Sequence, residues 1–342
     1  MSRCAPIFRG KQADQYMPQK SAKRTKGFGV LPALFYVEAD MQTLADIGVA
    51  TCEPLIQARS MLRRPSLPTA ERQLDSKSPV RIGLALGGGF ARGIAHAGVL
   101  RILEQHQIPI HCITGISAGA IVAAAYASGA TPEEIARAGC SMRFSDVGRL
   151  SFGRLGLVGS QCMNHFLERL LKTYRFEEMR FPLGVVATDL ATGEPAPFTE
   201  TGSVFDPIRA SCAYPGLFQP VRHQGRLLVD GAMSMGVPAA LARQLGATHV
   251  IAVAVPASGP GSQPSNMFQV VSRCLQILQS RFEDGWRSET DLVIAPDVRG
   301  VDWNDFGRGP QLVEAGEAAA LASLPQIREW VARMRPAAQM VN

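Results

Sequence analysis

The chain has 342 residues, 46% of them hydrophobic and 19% charged, with 33 Gly and 23 Pro. That apolar content excludes wholesale disorder, and glycine without a three-residue period excludes a collagen. The length suits one large or two ordinary globular domains. The net charge of +6 is a property of one end: residues 1–26 carry Arg3, Arg9, Lys11, Lys20, Lys23, Arg24 and Lys26 against Asp14 alone, so the remainder is neutral. Such an arm either stays solvated or makes peripheral contact with an anionic membrane, and no nucleic-acid partner is expected. Seven cysteines (4, 52, 112, 140, 162, 212 and 274) form no CxxC pair and no cluster with histidine at zinc spacing, so neither a disulfide framework nor a metal site is indicated.

No stretch reaches the ~18 apolar residues of a membrane span. Gly27 to Val37 follows a basic tetrad and has the outline of a signal peptide, but it contains Gly and Pro and begins late, so export is not expected and a cytoplasmic location is. Met41 and Met61 are alternative starts. Residues 1–78 read as an extension with one short helix around Met41 to Ile47. A folded domain is expected over 79–335 and a tail over 336–342.

After Pro79, short apolar runs alternate with helix-length segments. Arg81 to Leu86 reads as a buried strand, Ala91 to Gln105 as a helix, His111 to Thr114 as a strand and Ser117 to Ser128 as an alanine-rich helix. Thr131-Pro132-Glu133-Glu134 opens another helix with a capping box. Strands are predicted at Leu183 to Ala187, Arg226 to Val229, Val250 to Val255 and Leu292 to Ile294. Helices are predicted at Met163 to Leu171, Val237 to Leu245, Asn266 to Phe282, Gln311 to Ala322 and Gln326 to Met334. The alternation implies an α/β fold with a mostly parallel sheet covered on both faces. The stripe Met267, Val271, Cys274, Leu278, Phe282 is expected to be the buried face of its helix. Gly148 to Ser160, rich in glycine, reads either as a flap near a site entrance or as a plain surface loop.

Two turns between strand and helix carry potential chemistry. Gly87-Gly88-Gly89-Phe90-Ala91-Arg92-Gly93 would turn N–H groups toward an anion, either a pyrophosphate or the oxyanion of acyl transfer. The dinucleotide pattern needs its third glycine at position 92, which is arginine, and the second strand offers no acid for a ribose, so nucleotide binding is disfavoured. Gly115-Ile116-Ser117-Ala118-Gly119 matches the G-x-S-x-G turn that lifts a serine hydroxyl above a sheet.

Serine needs a base. Of the six histidines (96, 106, 111, 165, 223 and 249) each is expected to be structural or superficial. Only His249 follows a plausible acid, and it leaves a Ser117-Asp230-His249 triad as a variant. That acid, Asp230 in Leu228-Val229-Asp230-Gly231-Ala232, ends an apolar run. It is an ordinary turn signal alone, and beside Ser117 a carboxylate able to act as the base if burial raises its basicity.

Taken together, Gly87 to Gly93 (G-G-G-x-x-R-G), Gly115 to Gly119 (G-x-S-x-G) and Asp230 to Ala232 (D-G-A) resemble the patatin-like phospholipase family. Ala210 to Pro220 (ASCAYPGLFQP) is similar to the segment preceding the family's aspartate, and Trp303 to Phe306 with Glu314 to Gly316 is similar to its bacterial members. The resemblance covers about 81–335. It implies a three-layer α/β/α fold and a Ser-Asp dyad without histidine, with Ser117 as nucleophile and Asp230 as base. Main-chain N–H groups around Gly88, Gly89 and Phe90 would form an oxyanion hole that Arg92 helps to shape. It further implies an acyl-enzyme acting on carboxylic esters of phospholipids or lysophospholipids, with no cofactor and no metal. The glycine loop is one residue longer than the plant pattern, which leaves the identity of the donating N–H groups open. The competing reading is a non-catalytic lipid- or nucleotide-binding protein that uses the same loop.

Overall fold

The computed structural model describes residues 79–153, 155–255, 263–264, 267–280 and 283–334. The expected extension, its short helix, the signal-like segment and the C-terminal tail lie outside the described residues. In chain order the elements are β1 (Ile82–Leu86), α1 (Ala95–Gln105), β2 (Ile110–Gly115), α2 (Ala118–Ser128), α3 (Pro132–Ser141), α4 (Phe144–Val147), β3 (Arg149–Gly153), β4 (Gly156–Gly159), α5 (Cys162–Leu170) and β5 (Leu183–Asp189). There follow β6 (Pro195–Phe198), α6 (Phe205–Ser211), β7 (Val221–His223), β8 (Arg226–Asp230), α7 (Ala239–Gln244), β9 (His249–Val253), α8 (Met267–Ser280), α9 (Glu283–Arg287), β10 (Leu292–Ile294) and α10 (Gly309–Met334).

The sheet runs β10-β9-β1-β2-β5-β8-β7, with β6 also on β5. β10, β9, β1, β2 and β5 are mutually parallel, and β6, β7 and β8 join antiparallel at one end. β1 is buried at every position because strands flank it on both edges and helices cover both its faces. Its residues divide by size. Ile82, Leu84 and Leu86 join the large core that also holds Leu100, Leu103, Leu312 and Ile327. Ala85 faces the other way, against Ala239, Ala242, Ala252 and Trp286. Small side chains on that second face let α7 and the turn after it approach closely: a Cβ on Gly83 would lie 3.3 Å from that of Ala242 and 2.6 Å from that of Ala247, and one on Gly184 would lie 2.7 Å from Leu241 Cδ2. The result is a three-layer α/β/α arrangement.

Local signals explain most element boundaries. The Thr131 hydroxyl accepts from Glu134 N and the Glu134 carboxylate accepts from Thr131 N, so the capping box starts α3 as read from the sequence. α2 is apolar all round and buried along nearly its whole length, as expected of a helix wedged between sheet and outer helices. The predicted helix from Ala91 begins as a 3-10 turn, Phe90–Ile94, before becoming α1.

Two expectations require correction. Gln311 to Ala322 and Gln326 to Met334 form one helix, α10, with Pro325 inside it. Burial of Leu324, Ile327 and Trp330 on either side of Pro325 holds that last section to the core and offsets the missing backbone donor. Gly148 to Ser160 is not a plain loop but largely the antiparallel hairpin β3/β4. It is tied down where Leu157 N and Val158 N donate to Leu217 O and Gln219 N donates to Val158 O.

The packing of α10 on α1 depends on two glycines. A Cβ on Gly316 would lie 2.0 Å from Ala95 O, and one on Gly98 2.0 Å from Val313 O. Gly316→Ala is therefore expected to force the helices apart and lower stability by roughly 2 kcal/mol net, because the overlap outweighs the roughly 1 kcal/mol by which Ala ordinarily favours a helix over Gly. Urea unfolding of the variant against wild type measures this, and an unchanged midpoint would contradict the packing described.

Candidate active site

β2 ends at Gly115 and α2 begins at Ala118, so Ser117 occupies the turn between them at φ 54° and ψ −125°. A non-glycine residue there costs on the order of 1–3 kcal/mol and needs rigid surroundings. Ile116 N donates to Leu86 O at 3.1 Å, Gly119 N to Ile116 O at 2.8 Å, and Ser117 N to the Ser211 hydroxyl at 2.9 Å. The glycines of the motif have a steric cause. A Cβ on Gly115 would lie 2.3 Å from Gly119 O, and one on Gly119 would lie 2.4 Å from Leu86 O.

Asp230 closes β8. Its backbone pairs with Ala187 of β5 and donates to Ala213 O at 3.0 Å. Thr188 Oγ1 donates to Asp230 O at 2.9 Å. The carboxylate, 1% exposed, accepts from Ala232 N at 2.9 Å and lies within hydrogen-bonding reach of the Ser117 hydroxyl. Burial pushes its pKa up to about 7, against the opposing pull of the Ala232 and Ser117 donors. A carboxyl half-ionised near neutrality can take a proton from a serine.

The glycine loop forms the facing wall. A Cβ built on Gly88 would sit 3.5 Å from Ser117 Cβ. Gly87 N donates to Val253 O and Arg92 N to Gly89 O. Among the described residues no backbone hydrogen bond engages the N–H of Gly88, Gly89 or Phe90. Phe90, at φ 52°, stacks edge-on against Trp303 at 4.8 Å, and Ala91 N donates to Trp303 O, so the closing segment pins the loop. Arg92 is buried, and the Asp302 charge partly offsets the desolvation that lowers its pKa.

These groups line one cavity of about 210 Å³, which Gly87, Gly88, Gly89, Ser117 and Asp230 share with Tyr214, Ser272, Gln276 and Gln279. Ser117, Asp230, Gly88, Gly89, Phe90 and Arg92, singled out from sequence, therefore meet at one place. His249 does not join them. It pairs with Ile82 at the start of β1, whereas the serine turn follows the strand ends at Leu86 and Gly115, roughly 13 Å further along the sheet. His249 packs instead on Trp330. Among the described residues no group of three or more His, Cys, Asp or Glu could hold a metal ion.

Three contributors were not assigned roles from sequence. Ser211 accepts from Ser117 N and donates to Val186 O at 2.6 Å, linking the strained turn to β5. Its signal was its place in Ala210 to Pro220. His96, fully buried with its pKa lowered to about 4 by desolvation, is neutral at pH 7 and donates through Nε2 to Gly87 O at 2.9 Å. The third is the inner face of α8. Burial of Ser272 there overturns the expected orientation of that helix: Met267, Val271, Cys274 and Leu278 are exposed, and Phe282 lies outside the described residues. The polar residues Ser272, Gln276 and Gln279 face the cavity, so the site and not the core determines which side turns inward.

A central sheet with a strained serine at one strand end and a buried carboxylate at another defines an α/β protein whose architecture is shared with VipD from Legionella pneumophila. The two match with a TM-score of 0.53 at 14% identity, over 73% of this chain and 67% of that one. Residues 84–243 match the model of the patatin-like phospholipase family. Similar curated proteins include an uncharacterized NTE family protein of Mycobacterium tuberculosis, 32% identical over 63% of this chain and 61% of that protein. Another is patatin-like phospholipase domain-containing protein 6 of Homo sapiens, 32% identical over 51% of this chain and 13% of that protein. The match thus spans about three fifths of the mycobacterial relative and a small part of the animal one. No described helix is long and apolar enough to cross a membrane.

Proposed function

We propose that this protein is a serine acyl hydrolase that cleaves carboxylic esters of phospholipids or lysophospholipids, with Ser117 as nucleophile and Asp230 as its base. One observation carries the reading: the Ser117 hydroxyl lies beside a buried carboxylate whose pKa is raised to about 7, in a cavity walled by the glycine loop. The match of residues 84–243 to the patatin-like phospholipase model supports a lipid as the substrate.

In this mechanism the Asp230 carboxylate removes the Ser117 proton as Oγ attacks the ester carbonyl. Charge that develops on the carbonyl oxygen is received by the N–H groups of Gly88, Gly89 and Phe90, reinforced by the start of the helical segment behind them. Protonated Asp230 returns its proton to the departing alcohol, leaving an acyl group on Ser117. Water, deprotonated by the same carboxylate, then releases the fatty acid and restores both groups. His96 stays outside the proton path and orients Gly87, while Ser211 holds the nucleophile's backbone.

A fluorophosphonate probe separates this reading from a protein that merely binds lipid or nucleotide. Covalent labelling is expected on wild type, to be mapped to Ser117 by mass spectrometry and to be absent from Ser117→Ala. Failure to label the folded wild-type protein would overturn the assignment.

A further inference from the structure

α8 is built inside out. Met267, Val270, Val271, Cys274, Ile277 and Leu278 fall at helical spacing on one face and are solvent-exposed, with Met267 82% and Leu278 55% accessible. The opposite face carries Ser272, Gln276 and Gln279 toward the catalytic cavity, where Ser272 lies within hydrogen-bonding reach of Tyr214. A soluble helix normally turns such a stripe to the core. Within the helix there is no acidic residue and one cation, Arg273.

We infer that the outer face of α8 docks on the surface of a phospholipid bilayer and seats the cavity mouth against it. This rests on the proposed lipid substrate and says how that substrate arrives. One face of the helix walls the cavity and the other presents the stripe, and the two meet at its last residue: Ser280 is exposed, lines the cavity and donates to the carbonyl of Ile277 in the stripe, so whatever covers the stripe reaches the edge of the cavity. A bilayer can cover the stripe and supply an ester from the same side, whereas a second protein there would stand between lipid and site. Absence of acids on the helix suits anionic headgroups, and a partly immersed helix with one apolar face is the geometry of interfacial binding.

The test is co-sedimentation of the full chain with vesicles of phosphatidylcholine containing a minority of phosphatidylglycerol. Salt of about 0.5 M screens the separate attraction of the basic N-terminal arm. Ile277→Gln/Leu278→Gln is expected to weaken binding by on the order of tenfold or more, while hydrolysis of a monomeric p-nitrophenyl ester is unchanged, since neither residue lines the cavity. Ser117→Ala should bind vesicles like wild type, and its loss of ester hydrolysis reports on the enzymatic reading alone. Met267→Gln/Val270→Gln, at the other end of the stripe, should repeat the loss of binding. Vesicle binding by both double variants equal to wild type would overturn the inference. So would sedimentation velocity showing that the variants abolish a dimer and leave lipid binding intact.

Discussion

Replacing Ser117 with Ala is expected to reduce ester hydrolysis by on the order of 10⁴-fold or more, because the acyl-enzyme cannot form and only binding and carbonyl polarisation remain. The fold should tolerate the change, since the contacts that hold the turn are made by the backbone: Ser117 N to Ser211, and its neighbours to Leu86 and Ile116. Strain at φ 54° is shared by serine and alanine but not by glycine. Ser117→Gly should therefore be equally inactive yet more stable than Ser117→Ala by about 1 kcal/mol. Hydrolysis of p-nitrophenyl esters and urea unfolding of both variants check the two halves. Wild-type turnover in either variant would remove Ser117 from the mechanism, and equal stability of the pair would remove the strain.

What the sequence disclosed, and what it withheld, follows from the range of the forces involved. Glycine at 115 and 119, the Thr131 cap and the apolar runs of β1 and β9 act within a few residues of themselves, and periodicity exposes them. The meeting of Ser117 with Asp230 could be suspected only from order and spacing along the chain, because their proximity is made by β2, β5 and β8 lying side by side. Pairing of Ala187 with Asp230 has no local trace. α8 shows the limit most clearly. Its amphipathic period was legible, but a period does not state which side meets protein, and the usual assumption that apolar faces turn inward gave the wrong side. Pro325 misled in the complementary way, as a local breaker overruled by burial on both sides of it. Ser211 was hidden because a serine that holds another residue's N–H resembles any other buried hydroxyl.

Asp230→Asn should remove activity and raise stability together. The wild-type carboxyl titrates near 7 when folded, from an ordinary value of 3.8, because burial disfavours its charge. Folded protein therefore holds this proton through a window where the unfolded chain has released it. By linkage, Asp230 makes stability fall as pH rises from about 4 to about 7, the reverse of a salt-bridged carboxylate. Asparagine keeps the oxygen that accepts from Ala232 N and carries no charge. Its advantage over wild type should be absent below pH 4, grow through the window, and reach roughly 2–4 kcal/mol at pH 8. Over the same interval wild-type kcat/KM should climb with a midpoint near pH 7 as the base ionises, while the variant stays inactive by at least about 10²-fold at every pH. Paired urea titrations and rate profiles from pH 4 to 9 read both curves. A rate that already sits at its plateau at pH 5 would mean that a different group accepts the serine proton. A stability gain independent of pH would mean that the carboxylate is not desolvated in the way its burial demands.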